Sequence, residues 1–216
     1  YDNNLDSWKI YDLEEATKRI PPESTYKIYD ALLGLESGII TPEHSSMTWN
    51  GDAFPFPSWE ADQDLNSAMQ NSVNWYFQAI DSQLGINRVQ EFLNKIEYGN
   101  QTTSSNLDLY WSDFSLKISP LEQVTLLKKF NTNEFHLNFQ NVFSVKNAIK
   151  IASTPNGNFY GKTGTGRVNG QDINGWFIGY VETSDNSYYF ATNIQSVSNA
   201  TGKKAFDILK KLHIWN

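Results

Sequence analysis

Ser24 and Lys27 are the two residues whose types and spacing could support nucleophilic catalysis. The proline pair before them blocks a helix upstream, and apolar residues recur at helical spacing after them. Residues three apart share a helix face, so the hydroxyl and the amine can meet. The helix dipole disfavours a cation in the first turn, and a buried lysine there could become a base that takes the Ser24 proton. For this short motif alone, an N-cap serine beside a surface lysine is the better interpretation.

Three further short motifs follow Ser24 and Lys27 in chain order. They are Ser72-Val73-Asn74 at a predicted helix break, Tyr98-Gly99-Asn100 at a predicted turn, and Lys162-Thr163-Gly164-Thr165-Gly166 in a β-rich run. A lysine in a strand, followed by small and hydroxyl residues, would let a ligand carboxylate lie along the strand edge. Taken singly, each motif is also compatible with a plain helix cap, a turn or a glycine-rich loop. The ordered set of four indicates a serine acyl-transfer site.

The elements that position these motifs follow from hydrophobic periodicity. The pattern predicts a strand at 8–13 and a polar connection at 14–19. It predicts helices at 24–37, 64–84 with a break near Asn71-Ser72, 88–96, from Ser119-Pro120 onward, 142–151 and 203–212. Three β-rich runs at 159–163, 176–181 and 188–192 are separated by turn residues and predict an antiparallel meander, which the 8–13 strand would complete. The predicted fold is α+β: one domain over 1–216, with a helical lobe at about 24–154 inserted in a sheet lobe at about 1–23 and 155–216.

Composition excludes several other classes of function. The net charge is −7, with 17 Lys and Arg against 24 Asp and Glu, which argues against a nucleic-acid surface. Cysteine is absent and the three histidines are isolated, so neither a metal site nor a Ser-His-Asp triad is expected. No apolar run approaches the ~18 residues of a membrane span. We therefore expect a soluble, monomeric fragment whose membrane tether, in a missing N-terminal region, is not in this sequence.

With these motifs in place, the sequence resembles the penicilloyl serine transferase superfamily. Tyr98-Gly99-Asn100 is similar to the class D β-lactamase branch. Longer stretches resemble the extracellular penicillin-sensor domain of the BlaR/MecR signal transducers, over essentially the whole chain. These stretches are Ser24 to Tyr29, Asp64 to Phe77, Gly161 to Gly166 and Gly175 to Tyr180. The resemblance implies a class D β-lactamase-like fold at the extracellular face of a bacterial membrane.

The resemblance also implies a role for each motif residue. Ser24 would be the nucleophile that opens a β-lactam ring, and Lys27 its base, N-carboxylated by carbon dioxide without any other cofactor. Ser72 and Lys162 would relay a proton to the leaving nitrogen. The substrate-binding positions would be Asn74, Thr163, Gly164, Thr165 and Trp111. Of these, Thr163 and Thr165 would hold the substrate carboxylate, Trp111 would bind the carbamate, and the N–H groups of Ser24 and Thr165 would stabilise the oxyanion. Tyr98, Gly99 and Asn100 would be a structural motif.

Two departures from the class D pattern separate the possible functions. Asn74 stands where those hydrolases usually carry an apolar residue, and Lys203 and Lys204 stand near where they usually carry an arginine. Both departures resemble the sensor branch, so the leading interpretation is a receptor that is acylated once and deacylates slowly, with little or no turnover. A class D β-lactamase is the alternative. A D-alanyl-D-alanine peptidase shares the nucleophile but is disfavoured by Tyr98-Gly99-Asn100.

Overall fold

A four-stranded antiparallel sheet is covered by helices on both faces. The computed structural model describes residues 1–104 and 106–211, with side chains to residue 209. The strands lie in the order β1-β2-β3-β4, which is also their order along the chain. Their bounds are β1 Lys150–Thr154, β2 Gly157–Val168, β3 Gln171–Glu182 and β4 Ser187–Gln195. The predicted meander is confirmed as β2, β3 and β4, and β1 is an additional strand.

The central strand β3 is buried on both faces, and its side chains alternate between two apolar layers. Trp176, Ile178 and Tyr180 join the main core under the helices. Phe177 and Val181 point to a smaller cluster that also contains Ala205 and Leu209 of the C-terminal helix. A strand that alternates between two buried faces reads as an almost continuous apolar run, which is how the sequence shows it.

The helices form the second lobe, and the C-terminal helix packs on one face of the sheet. Within the described residues they are α1 Leu13–Thr17, α2 Lys27–Glu36, α3 Leu65–Asn71, α4 Asn74–Leu84, α5 Ile86–Lys95, α6 Pro120–Asn131, α7 Phe139–Ala148 and α8 Gly202–Lys211. The helix α2 runs through the middle of the core, and every residue from Lys27 to Leu35 is buried. A 3₁₀ turn at Glu23–Tyr26 precedes it and packs against β2. Ser24 therefore lies where the helical lobe meets the sheet.

Local capping signals explain why several helix ends were predictable. Asp64 and Ser67 form a capping box at α3, and Ser119 and Glu122 form another at α6, which has Pro120 at its first position. The predicted break near Asn71-Ser72 is confirmed, because Ser72 adopts a left-handed conformation with φ of 57° between α3 and α4.

The prediction for the N-terminal segment is wrong. Residues 8–13 form no strand, and Trp8, Ile10 and Tyr11 are exposed. The connection that follows contains α1, which begins after the N-cap Asp12. The N-terminus instead meets the sheet at its first residues, where the Tyr1 amino group donates to Tyr189 O at 2.7 Å. Alternation of apolar residues predicted a strand, but it is Tyr1 and Asp2, not residues 8–13, that lie against the outer strand β4, where Asp2 bridges to Tyr188.

The boundary between the lobes also differs from the prediction. The helix predicted at 142–151 is α7, which ends at Ala148, and β1 begins two residues later at Lys150. Ile149 is buried as the helix cap, so its apolar side chain extends the helical pattern past the true end. Leu212 and His213 lie outside the described residues. Across the part of the chain that the structure describes, no helix is long and apolar enough to cross a membrane.

Candidate active site

Ser24 and Lys27 are in direct contact. Lys27 Nζ lies 2.7 Å from Ser24 Oγ and 2.6 Å from Asn74 Oδ1. An ammonium would donate both hydrogen bonds, whereas a neutral amine could donate to Asn74 and accept from the Ser24 hydroxyl. Ser24 and Lys27 meet because they are three residues apart across the 3₁₀ turn, and Asn74 reaches them as the first residue of α4. The arrangement has the geometry of a nucleophile with its base.

The environment of Lys27 favours a neutral amine. Its side chain is fully buried, and its Nζ lies 4.6 Å from the centre of the Trp111 ring and 5.7 Å from that of Phe77. Burial lowers the pKa of Lys27 well below its ordinary value, and the positive charge of Lys162 lowers it further. Asp30 and Glu23 act in the opposite direction but more weakly. Lys27 can therefore serve as a base near neutral pH.

The second polar pair joins the helical lobe to the sheet. Lys162 Nζ donates to Ser72 Oγ at 2.9 Å and to Thr163 O at 3.1 Å. The left-handed turn at Ser72 points this hydroxyl toward β2, and burial lowers the pKa of Lys162 to about 7. A lysine with that pKa can both donate and accept a proton at physiological pH.

The strand β2 presents a free edge to the nucleophile. Its register with β1 stops at Tyr160, and Gly161 N makes the last backbone contact on that side by donating to Ile149 O at 2.9 Å. Residues from Lys162 to Val168 are paired with β3 alone among the described strands. Gly164 lies against the turn before Ser24, because a Cβ there would be 3.1 Å from Pro22 O. The Thr165 hydroxyl accepts a hydrogen bond from Gly202 N at 2.9 Å, which ties the start of α8 to this edge.

The motif Tyr98-Gly99-Asn100 supports the site without lining its cleft. Tyr98 is fully buried and packs edge-on against Tyr26, with ring centres 5.2 Å apart. Gly99 has φ of 49° and is packed so tightly against Lys117 O that a side chain would collide with it. Asn100 accepts from Lys117 N at 2.8 Å and donates to Ser115 O at 2.7 Å. The motif therefore holds the segment that follows Trp111.

Several buried acids near Lys27 were missed by the sequence analysis. Asp30 lies one turn beyond Lys27 and is fully buried, and Asp81 of α4 accepts from Tyr110 Oη at 3.2 Å. Burial raises the pKa of both aspartates, and the charge of Asp81 raises the pKa of Asp30 further. At Asp81, hydrogen bonds with Tyr110, Trp111 and Asp30 act against the rise. Glu23, directly before the nucleophile, is also buried. Only the spacing of Ser24, Lys27 and Asp30 along one helix face could have indicated such a cluster.

A cleft of about 310 Å³ opens over Ser24. Its lining includes Ser24, Asn74, Trp111 and Thr165, together with Arg167, which the sequence analysis did not select. Arg167 forms an ion pair with Asp172 at 2.7 Å and remains mostly exposed. In contrast, Lys203 and Lys204 are exposed on α8 and do not line this cleft, and Lys203 pairs with Asp207 at 3.2 Å.

Comparison with known proteins agrees with this geometry. The model of the family described as "Penicillin binding protein transpeptidase domain" matches residues 1–213. The chain belongs to this family. It is also 48% identical to the regulatory protein BlaR1 of Bacillus licheniformis, over 96% of this chain and 34% of that protein. The chain thus spans about a third of the length of that relative.

Solved structures in this family share the fold over nearly the whole chain. The C-terminal domain of the Bacillus licheniformis BlaR penicillin-receptor superposes with a TM-score of 0.94 at 46% identity, covering 100% of this chain and 89% of that one. A class D β-lactamase from Bacillus subtilis gives a TM-score of 0.92 at 35% identity, covering 100% and 90%. The predicted class D β-lactamase-like α+β fold is confirmed. Identity is higher with the receptor domain than with this hydrolase.

Proposed function

We propose that this chain is the β-lactam-receptor domain of a signalling protein, acylated on Ser24 by penicillins and cephalosporins and slow to release the adduct. The observation that carries the proposal is the buried contact of Lys27 Nζ with both Ser24 Oγ and Asn74 Oδ1. The likeness to BlaR1 and to the BlaR penicillin-receptor domain supports the receptor interpretation over a hydrolase.

The contacts supply each group that acylation needs. As Ser24 Oγ attacks the lactam carbonyl carbon, its proton passes to the neutral Lys27 amine 2.7 Å away. The backbone N–H groups of Ser24 and Thr165 would stabilise the negative charge that develops on the carbonyl oxygen. When the carbon–nitrogen bond of the ring breaks, the Ser72–Lys162 pair would deliver a proton to the leaving nitrogen.

The pocket around Lys27 also fits N-carboxylation by carbon dioxide. That reaction requires a neutral amine, which burial favours. The Trp111 indole N–H is buried, makes no hydrogen bond of normal geometry among the described residues, and interacts only weakly with the Asp81 carboxyl. Because the Trp111 ring centre lies 4.6 Å from Lys27 Nζ, this N–H could hold a carbamate oxygen. Once formed, the carbamate would supply a second base. A carbonyl signal in carbon-13 NMR under labelled bicarbonate, absent from Lys27→Ala, would identify it.

Asn74 supports a receptor rather than a hydrolase. Its amide oxygen accepts from Lys27 Nζ and so stabilises the uncarboxylated amine. Loss of a carbamate after ring opening would leave the acyl group without a base to activate water, and the adduct would persist. In the whole protein, we propose that a membrane tether outside this chain holds the domain, as a monomer, at the extracellular face of the membrane. We also propose that the lasting adduct is the signal that induces resistance.

The alternative function, a class D β-lactamase, is supported by the fold that this chain shares with class D enzymes. It predicts the same acylation but rapid attack by water. Adduct formation therefore tests the site, and adduct lifetime tests the function.

Mass spectrometry of Ser24→Ala with a penicillin tests the site. The wild-type chain should gain the mass of one penicillin, whereas Ser24→Ala should gain none. Ser82→Ala, a change at an exposed serine outside the cleft, is the matched control and should label normally. A normal adduct on Ser24→Ala would remove Ser24 from the proposed role.

A further inference from the structure

Glu23, the residue directly before the proposed nucleophile, has an unusual conformation. Its φ of 53° lies in the left-handed region that favours glycine, and its side chain is only 6% exposed. A non-glycine residue keeps such a backbone only where surrounding contacts hold it, and these positions cluster at functional sites. Glu23 is therefore a candidate for a functional role beside Ser24.

Two sets of contacts hold Glu23 from opposite sides. Its backbone N–H donates to Trp111 O at 3.1 Å. Its carboxyl Oε1 accepts from Asn174 Nδ2, on β3, at 3.1 Å. The carboxyl also fills the space beside Gly166, where any Cβ would collide with it, and its own Cβ lies 3.2 Å from the position of a Cβ at Gly164. Glu23 thus bridges the nucleophile turn and strand β2.

The bridge is part of a buried polar network that extends across the sheet. Asn174 Nδ2 also donates to Pro21 O at 3.0 Å, and Trp176 Nε1 donates to the same oxygen at 2.8 Å. Asn193 Nδ2 on β4 donates to Asn174 Oδ1 at 2.9 Å. A network with this many fixed partners makes the turn rigid before substrate arrives.

These contacts lie beside both proposed oxyanion donors. The Ser24 N–H belongs to the peptide that follows Glu23, and the Thr165 residue lies between the two glycines that Glu23 contacts. We propose that Glu23 is a positioning residue that sets the geometry of the oxyanion hole by bridging the nucleophile turn to β2. The proposal rests on the acylation of Ser24 proposed above.

The charge of Glu23 would affect acylation because its carboxyl group lies beside the proposed oxyanion hole. Burial raises its pKa to about 8, although the Asn174 hydrogen bond and the charge of Lys27 act against the rise. Arg167 and Asp113 are the other charged groups that line the same cleft. Below that pKa the carboxyl is neutral. Above it, a carboxylate beside the oxyanion hole would repel the negative charge of the transition state, so acylation should slow as the pH rises.

Two substitutions separate the bridge from its charge. Glu23→Gln keeps the volume and the Oε1 acceptor but cannot ionise. We expect its acylation rate constant at pH 7 to stay within about threefold of wild type, and the alkaline loss of rate to become smaller or move to higher pH. Glu23→Ala removes the bridge and should acylate about tenfold or more slowly at pH 7, as expected when a reacting group is misplaced by a fraction of an ångström. Glu97→Gln, at an exposed glutamate, is the control.

The rate constants are measured from pH 6 to 10 by intact-mass spectrometry with a penicillin. Lys162, whose pKa is lowered to about 7, loses its proton in the same pH range and so lowers the acylation rate of both wild type and Glu23→Gln. The difference between the two pH profiles therefore reports the ionisation of Glu23 alone. If Glu23→Gln keeps the wild-type profile, or Glu23→Ala acylates at the wild-type rate, the inference is wrong while the proposed function stands. If the wild-type chain forms no adduct at any pH, the proposed function itself fails. In that case the inference about the oxyanion hole falls with it.

Discussion

The hydrogen bond between Asn74 and Lys27 should lengthen the life of the acyl adduct, and Asn74→Val should shorten it. The bond is 2.6 Å long and its lysine is fully buried, so the lysine end of the bond is shielded from water. A hydrogen bond to a charged group contributes about 1.5–3 kcal/mol and a neutral one about 0.5–1.5 kcal/mol. Asn74 therefore favours the ammonium form over the neutral, carboxylatable amine by ~1 kcal/mol, a factor of roughly five. Valine removes this bias.

Adduct lifetime is the direct readout for this substitution. We expect the Asn74→Val adduct to disappear about five- to tenfold faster than that of wild type after excess penicillin is removed, with a stronger carbamate signal in carbon-13 NMR. Asn74→Asp has the same shape but adds a negative charge that stabilises the ammonium, so its carbamate signal should be weaker and its acylation slower. Lifetimes and carbamate signals that stay within about twofold of wild type for both variants would refute the reasoning.

Two further substitutions test the surroundings of the site. Asp30→Asn removes a carboxyl group that raises the pKa of Lys27. The pKa of Lys27 should therefore fall, and the acidic limb of the acylation rate against pH should move to lower pH. An acidic limb that stays in place would mean that Asp30 is only structural. Arg167→Gln removes a mostly exposed cation from the cleft and should slow acylation by anionic penicillins about two- to fivefold at low salt, with little effect at 1 M salt. An equal effect at both salt concentrations would argue against an electrostatic role.

The parts of the fold that sequence predicted well are those with local signals. Capping residues at Asp64 and Ser119 fix the starts of α3 and α6, and the Ser72 turn interrupts what would otherwise be one helix. The meander was predictable because turn residues separate its β-rich runs. The strand predicted at 8–13 was wrong because pairing depends on a partner edge, which the local pattern does not report.

The candidate site could be predicted only in part for the same reason. The four short motifs contain Ser24, Lys27, Ser72 and Lys162, and the structure brings these four into two hydrogen-bonded pairs. Glu23, Asp30 and Asp81 carry ordinary acidic side chains in the sequence, and their properties arise only from burial by distant elements. Their effect on protonation therefore became visible only with the tertiary structure.

The central claim, that the chain is a receptor and not a hydrolase, is tested most directly by following intact mass over time with a small excess of a penicillin. We expect one adduct per chain on Ser24, which survives for many minutes after the free antibiotic is removed, while the antibiotic is consumed in a one-to-one ratio. Consumption of many penicillin molecules per chain, with an adduct that vanishes as the antibiotic is used up, would contradict it and identify a class D β-lactamase.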